Sequence, residues 1–264
     1  MKKRIALFLA LIMILSIGVA IADSWTCPKC GKTKNKSAFC PDCGTARPEP
    51  TEEPEAESDE DSDYQVGDLV YFGQYEYSRT GDPEKIRWLV IDTDGDKLFL
   101  LAEKGLARHR FNSSSNGATW AESELRYWLN ETFLKDAFSK QERKAIQTTQ
   151  VDDGPDHTRH SWDTAGRTGG ITEDKIFLLS YEEMNSLVKS DDRFCEPTPA
   201  VLAQNVYTKK HNGKTCCWYW LRTSAFKNNV GVVTYEGKYD TCYMHHDYGV
   251  VRPALWVYAL AVTD

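Results

Sequence analysis

The stretch IRWLVIDTDGDKLFLLA, residues 86–102, decides how the larger part of this chain folds. It consists of two runs rich in β-branched, aromatic and aliphatic residues, separated by Asp94-Gly95. An Asp-Gly pair between two such runs is typical of the tight turn in a β-hairpin, because glycine readily adopts the backbone conformation that this turn requires. The stretch therefore predicts two antiparallel strands joined by a short turn.

The residues that follow the hairpin predict helices. Apolar side chains recur at three- and four-residue steps across residues 119–138, which is the spacing that forms one face of a helix. Capping boxes of the form Ser/Thr-x-x-Glu mark helix starts, and they begin at Thr119, Ser139 and Ser180. Because the last third of the chain returns to short strand-like runs, residues 64–264 predict an α+β domain.

Polar segments separate these elements, and loops of this composition lie on the surface and often carry binding residues. The longest of them, residues 151–173, is rich in glycine and charged residues and has no periodic pattern. We expect the binding face of the domain to be formed by four segments: residues 108–118, 151–173, 208–217 and 239–248.

The chain begins with a pattern typical of exported proteins. Basic residues 2–4 precede an apolar run, and the small-residue pattern Ala20-Ile21-Ala22 ends it. This order predicts a secretory signal peptide over residues 1–22. The apolar run is also long enough for an uncleaved membrane anchor, which is the alternative. Either interpretation makes the protein secreted or places it on the extracellular face of the cell membrane.

Residues 23–45 contain a four-cysteine motif. Two Cys-x2-Cys pairs are separated by nine residues and comprise Cys27, Cys30, Cys40 and Cys43. This spacing predicts a structural zinc ribbon, because it brings four thiolates to one tetrahedral ion and leaves no coordination position for a substrate. A segment this short also has no hydrophobic core without a metal. Two disulfides are the alternative in an oxidising compartment.

An acidic segment separates the ribbon from the α+β domain. Residues 46–63 contain prolines and many acids but no large aliphatic residue, so they predict an extended linker. The chain has a formal net charge of −7 at pH 7, and most of it arises in this segment. Because the α+β domain shows no basic patch, nucleic acid is not an expected partner.

Four further cysteines lie in the α+β domain: Cys195, Cys216, Cys217 and Cys242. An even number of cysteines in an exported protein predicts one or two disulfides, although their pairing does not follow from the sequence. A redox or metal-assisted pair at Cys216-Cys217 is the functional alternative.

Residues 66–257 resemble an uncharacterised bacterial family, a domain of unknown function found in secreted or membrane-attached proteins, whose members often follow a leader and a zinc ribbon. The matching pieces occur in order: VGDLVYFGQY, IRWLVID, LFLLAE, LRYWLN with FLKDAFSKQERKAI, DKIFLLS, WYWLRT and GVVRPALWV. The family pattern includes Arg222 and Arg252, which we expect to donate hydrogen bonds to loop carbonyls at the edge of the core.

The family pattern is in turn similar to C-type lectin-like domains, including the formylglycine-generating group, and the likeness lies in WYWLRT followed by GVVRPALWV. This resemblance implies a C-type lectin-like α+β fold with antiparallel strands, two main helices, paired terminal strands and long loops that present the binding face. The calcium-ligand pattern of sugar-binding lectins is missing here, because Glu196-Pro197-Thr198 has no acidic partner in WYWLRT.

No assembled nucleophile, acid–base pair or phosphate-binding motif stands out in the sequence. We therefore expect a non-catalytic recognition module that binds a glycan or protein ligand through its loops. One alternative is a cysteine- and metal-dependent oxidase related to the formylglycine-generating group. A second alternative is a protein-binding component of envelope assembly.

Overall fold

The computed structural model describes residues 24, 26–46, 63–114, 118–152, 169–225 and 228–264. The chain divides into two compact units, Met1–Ser58 and Asp59–Asp264. The predicted signal peptide, most of the predicted linker and the middle of the predicted 151–173 loop lie outside the described residues. Within the described ranges, no helix is both long enough and apolar enough to cross a membrane.

Strands dominate the larger unit. The described residues form β1 (Leu69–Glu76), β2 (Pro83–Asp94), β3 (Lys97–Ala102), β4 (Ala107–Arg108), β5 (Thr149–Asp152), β6 (Ile171–Asp174), β7 (Thr208–His211), β8 (Lys214–Cys217), β9 (Tyr219–Ser224), β10 (Asn229–Val233), β11 (Tyr239–Tyr243), β12 (Val250–Val251) and β13 (Ala254–Tyr258).

Short helices lie between the early and late strands. They are α1 (Glu124–Trp128), α2 (Leu134–Ala137), α3 (Glu142–Ala145), α4 (Tyr181–Leu187) and α5 (Pro199–Ala203). A π-helical turn, Leu129–Phe133, joins α1 to α2, so the two form one continuous helical segment. Short 3-10 turns occupy Trp120–Glu122, Ser190–Arg193 and Ala259–Ala261. The unit is therefore α+β, as the sequence predicts.

Two sheets carry most of the strands. The first has the order β1-β2-β3-β13 and is antiparallel throughout. The predicted hairpin is confirmed, because Asp94 pairs with Lys97 and Gly95 has a φ of +56°. The second sheet has the order β11-β10-β9-β12-β4, in which only the pairing of β12 with β9 is parallel. Two separate hairpins, β5-β6 and β7-β8, complete the described strands.

The helix starts follow two of the three predicted capping boxes. Ser180 and Glu183 exchange reciprocal side-chain and backbone hydrogen bonds, and Ser139 does the same with Glu142. The prediction of a capping box at Thr119 is wrong, because the Thr119 side chain caps no helix and the residue is followed only by a 3-10 turn. Ser123 instead caps α1 by accepting a hydrogen bond from the Arg126 N–H. The extended backbone of Ser123 ends the 3-10 turn, so the helix can begin only after it.

The core of the larger unit is one continuous apolar cluster. Its largest fully buried side chains include Trp88, Trp120 and Trp220, which come from both sheets and the 3-10 turn before α1. Trp220 lies in this core, whereas Trp218 and Trp256 are half-buried and pack against the cluster. Burial of these large rings fixes the framework from which the surface loops project.

Candidate metal centre and loop cleft

The four N-terminal cysteines lie on two equivalent backbone turns. In the first, the Gly31 N–H donates to the Cys27 carbonyl at 2.9 Å, and in the second the Gly44 N–H donates to the Cys40 carbonyl at 2.8 Å. Gly31 and Gly44 have φ values of +73° and +69°, a conformation that favours glycine because it has no Cβ. The glycine after each Cys-x2-Cys pair thus lets the chain fold back and bring both sulfurs of a pair to one side.

The two turns place four sulfurs in one cluster. The Sγ atoms of Cys27 and Cys43 are 3.5 Å apart, as are those of Cys30 and Cys40, and all four lie within 4.8 Å of one another. A tetrahedral zinc ion with bonds of about 2.3 Å needs sulfur–sulfur separations of about 3.8 Å. The cluster predicted from the sequence is therefore close enough to bind a metal ion.

The pKa values of two thiols in this cluster are shifted in opposite directions. The Thr45 hydroxyl, 3.1 Å from the Cys43 sulfur, and the Thr45 N–H lower the pKa of Cys43 to about 6. The Lys32 N–H lowers the pKa of Cys30, but the adjacent thiols of Cys43 and Cys40 outweigh it and raise this pKa to about 12. Like charges this close do not ionise together in water alone, and a divalent cation would remove the repulsion. The donor set therefore fits a cation that accepts thiolates.

An ion pair links the two turns of the ribbon. The Lys32 ammonium donates to the Asp42 carboxylate at 2.7 Å. Cys27 and Cys40 are buried, whereas Cys30 is exposed and Cys43 is half-buried. Because all four sulfurs face one another, the cluster is suited to a structural ion and offers no open position to a substrate.

The larger unit carries an open cleft of about 530 Å³ between three loops. Its lining residues come from the end of β4 and the loop after it, the C-terminal end of α5 and the loop before β12: Arg108, His109, Arg110, Gln204, Asn205 and Asp247. The cleft thus combines segments that are far apart in the sequence. It lies where two of the predicted binding loops meet.

Arg108 holds the three segments of the cleft together. Its guanidinium donates to the Asp247 carbonyl at 2.6 Å and to the Asp247 carboxylate at 3.1 Å. It also donates to the Gln204 carbonyl at 2.6 Å and lies over the Tyr248 ring, 4.8 Å from its centroid. Arginine suits this position because its planar fork can bond several acceptors while one face stacks on a ring.

Aromatic rings lie beside the cleft, in contact with His109 and Arg108, which line it. His109 stacks on Trp128 with ring centroids 4.9 Å apart, and His246 contacts both Trp218 and Tyr248. Beneath them, the Trp220 indole N–H donates to the His109 carbonyl at 2.9 Å. A Cβ on Gly249 would lie 1.9 Å from that indole nitrogen, so only glycine allows the loop to pass over the buried ring. The fold therefore presents aromatic and basic groups on a rigid base.

The structure brings together some of the four predicted loops. Segments 108–118 and 239–248 meet, because the Asn112 N–H donates to the Met244 carbonyl at 3.0 Å. The 208–217 segment is not a loop but the β7-β8 hairpin, whose pairing from Thr208 to Cys217 leaves only a tight turn. Gln204 and Asn205 were not expected at the site. Their position at the end of a helix is the one signal that could have indicated them.

Arg222 and Arg252 are buried structural residues, as predicted. Arg222 donates to the Leu178 carbonyl at 2.7 Å and forms an ion pair with Glu183. Arg252 donates to the Ala102 carbonyl at 2.8 Å and to the Tyr219 hydroxyl at 3.1 Å. Neither arginine lines the cleft.

The late cysteines do not form the predicted disulfides in this structure, in which all four are free thiols. Burial raises the pKa of Cys216 and Cys217, and it raises that of Cys242 to about 11. A cysteine acts as nucleophile or metal ligand in its thiolate form. The surroundings of Cys216 and Cys217 therefore do not favour the oxidase alternative.

One comparison with known proteins finds a match. A family model described as "Domain of unknown function (DUF6273)" matches residues 95–259, which is more than half of the chain. The match begins at the turn between β2 and β3. It therefore does not include VGDLVYFGQY and IRWLVID, the first two segments in which the chain resembles the family. No curated protein and no solved structure matches the chain. The chain belongs to the DUF6273 family.

Proposed function

We propose that this chain is an exported recognition protein whose C-terminal domain binds a carbohydrate through the loop cleft. The observation that carries this proposal is the combination of exposed rings and charged side chains around an open cleft of about 530 Å³. Aromatic rings offer flat apolar faces to sugar rings, while arginine, amide and carboxylate groups can bond hydroxyls. A hollow of this kind, with a few convergent polar groups, is the usual form of a ligand site.

The smaller hollow along β1 and β2 is a weaker candidate. It has a volume of about 220 Å³ and its lining includes Tyr71, Tyr75 and Tyr77. Its charged groups already bond one another, since Arg87 pairs with Glu103 and Lys104 donates to the Tyr77 hydroxyl at 2.9 Å. Ligand binding there would have to displace these contacts in a hollow that has less than half the volume of the larger cleft.

A C-type lectin-like arrangement of the domain is part of the proposal. In support of it, the chain end pairs with the first strand, because the Thr263 N–H donates to the Tyr71 carbonyl at 3.0 Å. Two of the three segments of the cleft, those next to β4 and β12, also project from one sheet, β11-β10-β9-β12-β4. Both features agree with paired terminal strands and a loop-built binding face.

The N-terminal part of the protein serves as a stabilised spacer in this proposal. We propose that Cys27, Cys30, Cys40 and Cys43 hold one structural zinc ion, because zinc prefers four thiolates in tetrahedral geometry. The signal sequence over residues 1–22 would direct the protein out of the cytoplasm. The acidic linker would then connect the ribbon to the recognition domain.

The test is binding of the purified protein, at fixed salt, to immobilised cell-wall polysaccharides and host glycans. We expect saturable capture, and we expect Tyr248→Ala to weaken it at least about tenfold because that ring borders the cleft. Tyr258→Ala is the matched control, since Tyr258 is 39% exposed and Tyr248 is 41% exposed. Tyr258 lies on β13 in the other sheet.

Two outcomes would contradict the proposal. If no glycan in the panel is captured, carbohydrate binding is wrong and a protein ligand becomes the hypothesis to test. If a glycan is captured equally by the Tyr248→Ala and Tyr258→Ala variants, the cleft is not the binding site. Arg110→Ala, which removes an exposed charge that lines the cleft, gives an independent check of the second outcome.

A further inference from the structure

Two of the late cysteines face each other inside the core. Cys195 and Cys217 form an isolated antiparallel β-bridge, and both are fully buried. The Cys217 N–H donates to the Cys195 carbonyl at 2.8 Å, and the Cys217 thiol donates to the same oxygen at 3.3 Å. Directly opposed, hydrogen-bonded residues have Cα atoms about 5.5 Å apart, within the range of about 4.4–6.8 Å found for disulfides.

The two sulfurs also border the same small space. A Cβ placed on Gly105 would lie 3.5 Å from the Cys195 sulfur and 3.6 Å from the Cys217 sulfur. The Gly105 N–H donates to the Glu196 carbonyl, and the Thr198 N–H donates to the Gly105 carbonyl, each at 3.0 Å. These backbone bonds hold the segment after β3 against the segment after Cys195, and glycine leaves room for both sulfurs.

The other two late cysteines occupy different positions. Cys216 precedes Cys217 in β8 and pairs with Lys209, and neighbouring residues of a strand point to opposite faces. Cys242 lies in β11 opposite Val230. From this geometry we propose that Cys195 and Cys217 form an intramolecular disulfide when the protein meets a disulfide oxidant, with Cys216 and Cys242 left as free thiols.

The chemistry is thiol–disulfide exchange with a small disulfide such as oxidised glutathione. The thiolate of one cysteine attacks a glutathione sulfur, forms a mixed disulfide and releases one glutathione thiolate. The second cysteine then attacks the mixed disulfide, forms the internal sulfur–sulfur bond and releases the other glutathione thiolate. The two protons lost by the cysteines pass to the two glutathione thiolates. The cysteines are oxidised by two electrons, and the glutathione disulfide is reduced by two.

The surroundings of Cys195 suit the first attack. Burial raises the pKa of the Cys195 thiol, but the Cys217 thiol, the Arg252 guanidinium and the Gly105 N–H together lower it below its usual value. Because both sulfurs are buried, the exchange would take place during folding or through local opening of the bridge. Cys217 would then resolve the mixed disulfide from across the bridge.

The bond would constrain one wall of the loop cleft. The segment closed by it contains α5 and the β7-β8 hairpin, and Gln204 and Asn205 of this segment line the cleft. A disulfide that closes this loop lowers the conformational entropy of the unfolded chain more than that of the folded chain, and so it stabilises the folded state. The disulfide would therefore keep this wall in place in an oxidising compartment.

The test is peptide mapping of the purified full chain after incubation in oxidised and in reduced glutathione, with the free thiols alkylated under denaturing conditions. We expect the oxidised sample to contain a peptide pair linked through Cys195 and Cys217. Reduction should lower the melting temperature of the larger unit by roughly 5–10 °C. Cys216→Ala and Cys242→Ala should keep both the link and the shift.

Cys217→Ala separates the proposed pair from its neighbour, because Cys216 and Cys217 fall in the same peptide. The link must disappear in Cys217→Ala and persist in Cys216→Ala. The proposal is overturned if Cys195 and Cys217 are both alkylated in the oxidised, folded wild-type protein. It is also overturned if Cys195 is found linked to Cys216 or Cys242. The alkylation reading and a link from Cys195 to Cys242 require only the wild-type protein, so they hold even if a variant fails to fold. A link from Cys195 to Cys216 is recognised by its persistence in Cys217→Ala.

Discussion

Asp174 shows how much one buried carboxylate organises at the residue scale. Its side chain is 1% exposed. It accepts hydrogen bonds from the Trp120 indole at 2.9 Å, the Thr172 hydroxyl at 2.7 Å and the Arg126 guanidinium at 2.7 Å. These donors come from the 3-10 turn, β6 and α1. One charge thus joins three elements around the start of the helical segment.

We expect Asp174→Asn to lower the free energy of unfolding by about 3 kcal/mol, because it leaves Arg126 without its charge partner in a buried position. The measurement is urea unfolding followed by near-ultraviolet circular dichroism. Glu131→Gln is the control, since it removes an ion pair with Lys135 in which both side chains are well exposed and should change nothing measurable. Equal losses in the two variants would contradict the role assigned to Asp174.

Residue types in the sequence indicated some of these roles but not their partners. Arg222 and Arg252 could be predicted as structural, because an arginine inside an apolar run must find acceptors. The four ligands of the ribbon could be predicted because their spacing is local. Arg108 could not be placed in the cleft from the sequence, since its contacts with Gln204 and Asp247 join residues about 100 or more positions apart.

At the scale of elements, α4 illustrates a local signal that the structure bears out. Ser180 accepts from the Glu183 N–H at 3.1 Å, and the Ser180 N–H donates to the Glu183 carboxylate at 2.8 Å. The same carboxylate pairs with the buried Arg222 of β9. The start of a short helix is thereby tied to the second sheet.

We expect Ser180→Ala to lower the free energy of unfolding by about 1 kcal/mol, because an N–H in the first turn of α4 loses its acceptor. Thermal and urea unfolding of the variant measure this loss. Ser186→Ala, an exposed change in the same helix whose hydroxyl bonds only the Glu182 carbonyl, should have little effect. The capping role is refuted if Ser186→Ala costs as much as Ser180→Ala.

The elements that the sequence did not predict correctly depend on contacts from elsewhere. Thr119 has the residue pattern of a capping box, but the Trp120 ring is fully buried and its indole is bound to Asp174. The buried Trp120 begins a 3-10 turn over residues 120–122 rather than an α-helix. The N-cap of α1 is therefore Ser123 and not Thr119. The polar residues of the β7-β8 hairpin likewise predict a loop, because their composition does not reveal the strand pairing. That pairing continues through Cys217 to the bridge with Cys195.

At the scale of the whole molecule, the chain has two compact units with separate apolar clusters. In the described residues of the smaller unit, the buried cluster consists of Cys27 and Cys40 with Cys43 packed against them. A cluster of sulfurs supplies little hydrophobic stabilisation, so the structural ion proposed above would supply most of the folding free energy of this unit. The core of the larger unit, by contrast, is built from large aliphatic and aromatic side chains.

We therefore expect removal of metal to unfold the ribbon and leave the larger unit intact. Native mass spectrometry of the purified protein should show one zinc ion per chain, and Cys40→Ser should abolish stoichiometric binding because it removes one of four ligands. A strong chelator should make the ribbon sensitive to proteases while the melting temperature of the larger unit stays unchanged. A mass lower by four hydrogens in this segment, with no metal bound, would show two disulfides instead. A fall in the melting temperature of the larger unit in Cys40→Ser would show that the two units do not fold independently.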